Sequence, residues 1–151
     1  MSETNGEGFL YSLMHTGVWG TFLRSPLIPL NRNAIQDANA TVAILGAPWE
    51  GCESFRPGSS FGPQCIRQVT SQYSSYNCEL DLDINDYIKL IDVGDIPIVP
   101  GNKEKSHNRI ELGVREIIGG GAIPIVIGGD HSITYPVFTG LVQEKNQSKL
   151  V

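Results

Sequence analysis

Short apolar runs alternate with amphipathic stretches along most of the chain. Thr41–Leu45, Ile88–Val93 and Ile123–Ile127 are rich in β-branched residues, and each runs into glycine or Gly-Asp. Runs of this kind with little polar alternation predict strands buried on both faces, as in a parallel sheet. Between them lie helical patterns. Pro63 suits a first helical turn, and Ile66, Val69 and Tyr73 predict a helix from Gln64 to about Ser74. Ser106 is the expected N-cap of a helix through Ile118. Its apolar stripe is Ile110, Val114, Ile117 and Ile118, and Gly119-Gly120-Gly121 stops it. Thr134 to about Glu144 predicts a third helix, and Leu150-Val151 opens a fourth strand. Strands alternating with helices imply parallel βαβ units and a layered α/β fold.

The remaining segments are punctuation. Gly46–Gly62, rich in Gly, Pro and Ser, reads as a loop, as does Pro97–Lys105. Cys78–Asp86 is acidic and irregular, with Asp81-Leu82-Asp83 as a solvated turn. Asn31–Asn39 is a polar connector with room for helical turns. Phe9–Leu30 reads as an arm that packs on the body or on a neighbouring subunit, with Pro26 and Pro29 limiting any helix. Met1–Gly8 reads as a polar tail and not as a signal peptide. The expected organisation is an arm and connector over residues 1–40, then one α/β unit over 41–151.

Composition narrows the function classes. With 40% hydrophobic and 18% charged residues the 151-residue chain is globular in type. A net charge of −5 and scattered Lys and Arg exclude a nucleic-acid partner, which needs a basic face. No run approaches the length of a membrane span. Cys52, Cys65 and Cys78 form no C-x-x-C pair, so reduced thiols in a cytoplasmic protein are expected, and zinc is not.

Candidate chemistry concentrates in Gly128-Gly129-Asp130-His131-Ser132. In an open α/β sheet the carboxyl ends of the strands form the ligand edge, and these residues follow directly on an apolar strand. Two glycines let the backbone turn and approach a neighbour closely. His131 offers an imidazole, the commonest side-chain metal ligand. The residues alone leave two readings of His131 open: a metal ligand, or a histidine that caps the next helix.

The wording around it resembles a known family. Pro124-Ile-Val-Ile-Gly-Gly-Asp-His-Ser132 is similar to the first metal-binding signature of the ureohydrolases, which include arginases, agmatinases and guanidinobutyrases. Gly46-Ala-Pro-Trp-Glu-Gly51, with Arg56-Pro-Gly58 and Gly62-Pro63…Ile66-Arg67, looks like the family's first strand and following loop. Ile91-Asp-Val-Gly-Asp-Ile-Pro97 looks like its next strand end, and Thr21-Phe-Leu-Arg-Ser-Pro26 like an agmatinase N-terminal segment. The blocks occur in the family's order from about Thr21 to Val151.

The resemblance implies an arginase-like three-layer α/β/α fold with a mostly parallel sheet, incomplete in this chain. It implies an amidinohydrolase in which two divalent ions, Mn2+ or alternatively Ni2+, share a bridging water. A small cationic guanidino substrate would be hydrolysed to urea and an amine, in a homo-oligomer. His131 is the one metal ligand it assigns here. Asp130 then supports the site or starts the helix, and Ser132 supports it or caps. Asp92, Asp95 and Arg67 read as structural, Arg56 as a tie between the loop and a carboxylate, and His15 and His107 as surface or packing residues. Glu50 departs from the Asp common in agmatinase-like sequences, a change that bears on substrate more than on family. The family's later Asp-x-His-x-Asp and Asp-x-Asp blocks do not occur here. The expectation is therefore an N-terminal half with an open sheet edge, inactive alone. The alternative is a non-catalytic module that pairs with another chain.

Overall fold

Strands that are apolar on both faces call for layers on both sides; the runs ending at Leu45 and Val93 receive them, whereas the third, also expected to be buried, leaves Ile123 and Ile125 66% and 48% exposed. In this computed structural model, which describes residues 20–148, the element order is α1 (Arg32–Asp37), β1 (Val42–Ala47), α2 (Gly62–Thr70), β2 (Tyr76–Asn77), β3 (Leu82–Asp83), β4 (Leu90–Asp95), α3 (Lys103–Gly119), β5 (Ile123–Gly128) and α4 (Thr134–Ser148). Single 3-10 turns lie at 22–24, 59–61, 84–86 and 131–133.

The main sheet has the order β4-β1-β5 and is parallel throughout. β1 is central, so Ala43, Ile44, Leu45 and Ala47 are all fully buried. Val42 pairs with both Leu90 and Ile123, and the register brings Gly46 to Asp95 and Ala47 to Gly128. All three carboxyl ends therefore emerge along one edge. One face carries Ala43, Leu45, Ala47, Ile91 and Val93, which join the buried stripe Ile110, Val114 and Ile117 of α3, with Ile35 of α1 beside them. α4 packs on the outside of α3, close enough that a Cβ at Gly140 would meet the Glu111 carbonyl oxygen at 2.7 Å.

The opposite face carries a charge. Asp92 of β4 is fully buried, and Arg67 of α2 meets it with two parallel bonds: Nε donates to Oδ2 at 2.8 Å and Nη2 to Oδ1 at 2.9 Å. Nη1 reaches Asp95, and Nη2 also donates to the Gly94 carbonyl at 3.1 Å. The backbone N–H groups of Phe22 and Gly94 donate to the remaining acceptor positions of Asp92, each at 2.9 Å. Burial alone would make the Arg67 guanidinium easier to deprotonate, but hydrogen bonding to Asp92 and the charges of Asp92 and Asp95 outweigh it and raise its pKa. The structural reading of Arg67, Asp92 and Asp95 agrees with this cluster.

The described part of the arm covers the outer edge of β4. Ile28 N donates to the Asp92 carbonyl and Asp92 N to the Pro26 carbonyl, both at 2.9 Å. Pro26 only accepts there, as a proline at a sheet edge must. The outer edge of β5 has no strand partner among the described residues, and Ile123 is 66% exposed on it.

Several elements differ from the sequence expectation, each for a local reason. α3 begins at Lys103, ahead of Ser106, because the Asn102 side chain accepts from Lys105 N at 2.9 Å and caps it. Ser106 is instead buried in the first turn, where its hydroxyl exchanges bonds with the backbone of Val99. α2 stops at Thr70, where the Thr70 and Ser71 hydroxyls donate back to the carbonyls of Ile66 and Gln68. Tyr73 thus lies beyond the helix and is exposed. The acidic stretch folds into the antiparallel β2–β3 hairpin, whose turn is held by the Asn77 side chain accepting from Glu79 N and Leu80 N. α1 and α4 correspond to expected helical segments, with Asn31 capping α1 and α4 running on to Ser148. The tail, His15 and the expected fourth strand lie outside the described residues.

Removing one member of the buried pair leaves the other charge uncompensated, which costs about 3–5 kcal/mol. Arg67→Met should lower unfolding free energy by that order in a denaturant titration. The double variant Arg67→Met with Asp92→Leu should cost clearly less than the sum of the single variants. Simple additivity would show that the two charges do not depend on each other.

Candidate functional site

The edge where β1 and β5 end is built by two loops that cross. Gly129 has φ +41, and a Cβ there would collide with the Trp49 carbonyl oxygen and lie 2.7 Å from that of Ala47. Only a glycine fits this crossing without displacing the other loop. Just beyond it, Asp130 N donates to the Trp49 carbonyl at 2.9 Å.

The Asp130 carboxylate then ties both loops. Oδ2 accepts from Gly51 N at 3.0 Å and Cys52 N at 2.7 Å. Oδ1 accepts from Ser132 N at 2.9 Å and from the Ser132 hydroxyl at 2.5 Å. Burial pushes the Asp130 pKa up, but these bonds, with the Ser132 hydroxyl first, outweigh it and hold the group below its ordinary value. A carboxylate offers about four acceptor sites, and donors fill them here. Asp130 therefore starts the 131–133 turn, as its helix-start reading expected, and ties that turn to the loop after β1.

His131 follows as an exposed ring, with Nδ1 3.5 Å from the Thr134 hydroxyl. It is the imidazole that this turn presents at the ligand edge. Among the described residues no group of three His, Cys, Asp or Glu side chains is placed to hold a metal ion. Ser132 is not a cap, because Asp130 holds that position; its hydroxyl instead lies between Asp130 and His107 Nε2, 3.3 Å away.

The sequence left His107 as a surface or packing residue; the structure makes it a buried one and a neighbour of Asp130 through Ser132. It is buried, meets the Trp49 ring edge-on at 5.7 Å and 82°, and its pKa is lowered by burial first and by Lys103 second, against the pull of Asp130. The signal was its spacing: His107, Ile110, Val114 and Ile117 form one continuous helical stripe, so the histidine had to face inward.

Glu50 stands in the same loop but does not present a free carboxylate. Its Oε2 accepts from Gly58 N and Ser60 N, both at 2.9 Å, closing the loop on itself. The Ser60 backbone bond is the largest of the causes that lower its pKa. The longer reach of glutamate is used for this closure. Arg56 stacks over the Phe55 ring at 4.9 Å, so the carboxylate-binding fork expected of it belongs to Arg67 instead. Cys52, Cys65 and Cys78 are exposed free thiols. No helix among the described residues is long and apolar enough to cross a membrane.

Comparison with known proteins places this edge in context. A family model described as the arginase family matches residues 40–151. An agmatinase from Bacillus anthracis is 36% identical over 103 residues, which is 68% of this chain and 35% of that protein. Among solved structures, the proclavaminate amidino hydrolase of Streptomyces clavuligerus superposes with a TM-score of 0.73 at 26% identity, covering 87% of this chain and 41% of that one. A formiminoglutamase from Trypanosoma cruzi, solved with Mn2+, gives 0.62 at 29% identity, covering 70% and 36%. The chain spans about a third of the length of the curated relatives it matches.

The Glu50 closure has a pH dependence whose sign is fixed. A carboxyl with a folded pKa below 4.5 stabilises the loop above that value, and the contribution is lost as pH falls through the lower folded value. Cleavage within residues 51–58 by an acid-tolerant protease should therefore stay slow from pH 7 to 5 and accelerate only as the pH falls below 4.5 and through the lower folded value. Glu50→Ala, and Glu50→Asp with its shorter reach, should be cleaved faster already at pH 7. Equal protection of all three proteins would remove Glu50 from loop closure.

Proposed function

The chain belongs to the arginase family, and from that premise we propose that the protein containing it is a metal-dependent amidinohydrolase that splits a small guanidino compound into urea and an amine. In this reaction water oxygen bonds to the guanidinium carbon while the carbon–nitrogen bond to the amine breaks and that nitrogen takes up a proton. The observation that carries the reading is the Asp130 turn: its carboxylate is saturated by the protein's own donors, and the turn it holds presents His131 as an exposed imidazole at the sheet's carboxyl edge.

The donor set fits one coordination position here, His131. Divalent ions held at this edge would supply Lewis acidity and a water acidified toward neutral pH. Mn2+ is the first choice, since the formiminoglutamase was solved with it, and Ni2+ the second. The further carboxylates that two ions need would come from sequence beyond this chain or from a second subunit. Asp130 and Glu50 are satisfied by N–H and O–H groups rather than by cations, so their negative charge still acts on the edge and favours a cationic substrate. The likeness to an agmatinase supports agmatine over arginine, and guanidinobutyrate is the alternative substrate within the same proposal. A cytoplasmic homo-oligomer is part of the same proposal.

The second reading, a non-catalytic module that pairs with another chain, draws on the outer β5 edge, where Ile123 and Ile125 are 66% and 48% exposed. An unpaired, apolar strand edge invites a partner strand. The two readings separate on turnover in the full-length protein.

The 151-residue chain alone should release no urea from agmatine, guanidinobutyrate or arginine with Mn2+ or Ni2+ added, while the full-length protein should release it from at least one. No release by the full-length protein with either metal leaves the pairing module. In that full-length protein His131→Ala should abolish most turnover and reduce bound metal per subunit. Full turnover with unchanged metal content would return His131 to the role of a helix-start histidine.

A further inference from the structure

Three chain segments meet where the Asp130 turn is held: the β1 loop, the β5 loop and the first turn of α3. The α3 contribution is His107, which no step of the proposed reaction uses. Its Nε2 lies 3.3 Å from Ser132 Oγ, and the Ser132 hydroxyl lies 2.5 Å from Asp130 Oδ1. Proton counting sets the direction of this chain. Asp130 accepts from three backbone N–H groups, those of Gly51, Cys52 and Ser132, as a carboxylate that has no proton to donate to the Ser132 hydroxyl. The single Ser132 proton therefore goes to Asp130. Ser132 Oγ is left with lone pairs toward His107, and a bond between them requires a proton on His107 Nε2.

We infer that His107 is a positioning residue: as an Nε2–H donor to Ser132 it orients the hydroxyl that grips Asp130, and so fixes the His131 turn together with the Gly51–Cys52 backbone. The polarity is opposite to that of a serine nucleophile, where the histidine must accept the hydroxyl proton. Ser132 is thus a relay for orientation and not an attacking group, despite the Asp–Ser–His order in space.

The ring has little freedom to leave this position. It is buried and meets the buried Trp49 edge-on, and the Trp49 carbonyl itself accepts from Asp130 N. The charged neighbours acting on it are Lys103 from its own helix and Asp130 from the facing loop. A bond from histidine to hydroxyl is worth about one ordinary hydrogen bond, roughly a fivefold change in a local opening equilibrium.

Two substitutions separate positioning from packing. His107→Phe keeps a ring against Trp49 but has no donor. His107→Gln loses the ring but carries an amide N–H at about the reach of Nε2. In the full chain, deuterium exchange at the Gly51, Cys52 and Ser132 amides should quicken about fivefold in His107→Phe and return toward wild type in His107→Gln. A packing role predicts the reverse order, with Phe tolerated and Gln disruptive, and that order would overturn the assignment.

Should His107→Phe fail to fold, the wild-type protein decides by NMR. A protected His107 Nε2 proton close to the Ser132 side chain is expected; a neutral ring protonated at Nδ1 alone would overturn the assignment. Only the final readout rests on the proposed function: bound Mn2+ per subunit in the full-length protein should fall in His107→Phe and recover in His107→Gln. If amide exchange follows the expected order but Mn2+ is bound by none of the proteins, the metal reading fails and the positioning role stands.

Discussion

Everything at the functional edge depends on one desolvated carboxylate. Asp130 is separated by 79 residues from Gly51, yet their contact holds the two loops that bear the family's wording in register. Hydrogen bonds to a charged acceptor are worth roughly 1.5–3 kcal/mol each, against the cost of removing the carboxylate from water. With four such bonds the balance favours the ionised form, and its pKa falls accordingly. The glycines before it serve the same end. At Gly129 any side chain would push the Trp49 carbonyl away from the Asp130 amide.

The fold contains a second buried carboxylate solved in the opposite way. Asp92 is neutralised by the Arg67 fork, and that pair sits inside the layer between β4 and α2. Asp130 is stabilised by neutral dipoles, which satisfy its oxygens without cancelling its charge. The first arrangement suits a structural strut, because it leaves little field outside. The second suits a binding edge, because the field remains. The difference follows from which donors the chain brings to each carboxylate, and it explains why an aspartate within β4 and one just past β5 carry different work.

How far the chain could be read in advance follows the same physics. β1 and β4 were legible because they need apolar residues on both faces; β5 was legible from its β-branched run, although Ile123 and Ile125 are exposed. The alternation with helices then dictates parallel connections, and the carboxyl-end location of Gly128–Ser132 follows from that alone. Helix starts were less legible, since Asn102 and Ser106 are both competent caps and only tertiary contact with Val99 decides between them. The hairpin at 76–83 was missed because its pairing rests on local polar bonds such as Asn77 to Glu79 and Leu80, with no hydrophobic alternation to signal it. Glu50 and Arg56 show a further limit. A charged side chain in a loop can face solvent, substrate or its own backbone, and composition does not say which.

The two sheet edges show what remains for a partner to do. The β4 edge is closed by the chain's own arm, with Pro26 placed where only an acceptor is needed. The β5 edge exposes Ile123 and Ile125, and the neighbouring helix exposes Tyr135 and Phe138 on α4. Within the described strand, which reads Ile-Pro-Ile-Val-Ile-Gly, Pro124 is the residue that blunts the free edge: Ile123 N donates inward to Thr41, so the nitrogen without a proton faces outward. The same strand delivers the His131 turn, so whatever covers the β5 edge also stands beside His131. A strand added along β5 in parallel would end at the same edge as the His131 ring, so under the proposed function the cover of the sheet and the supply of further ligands would meet at one place.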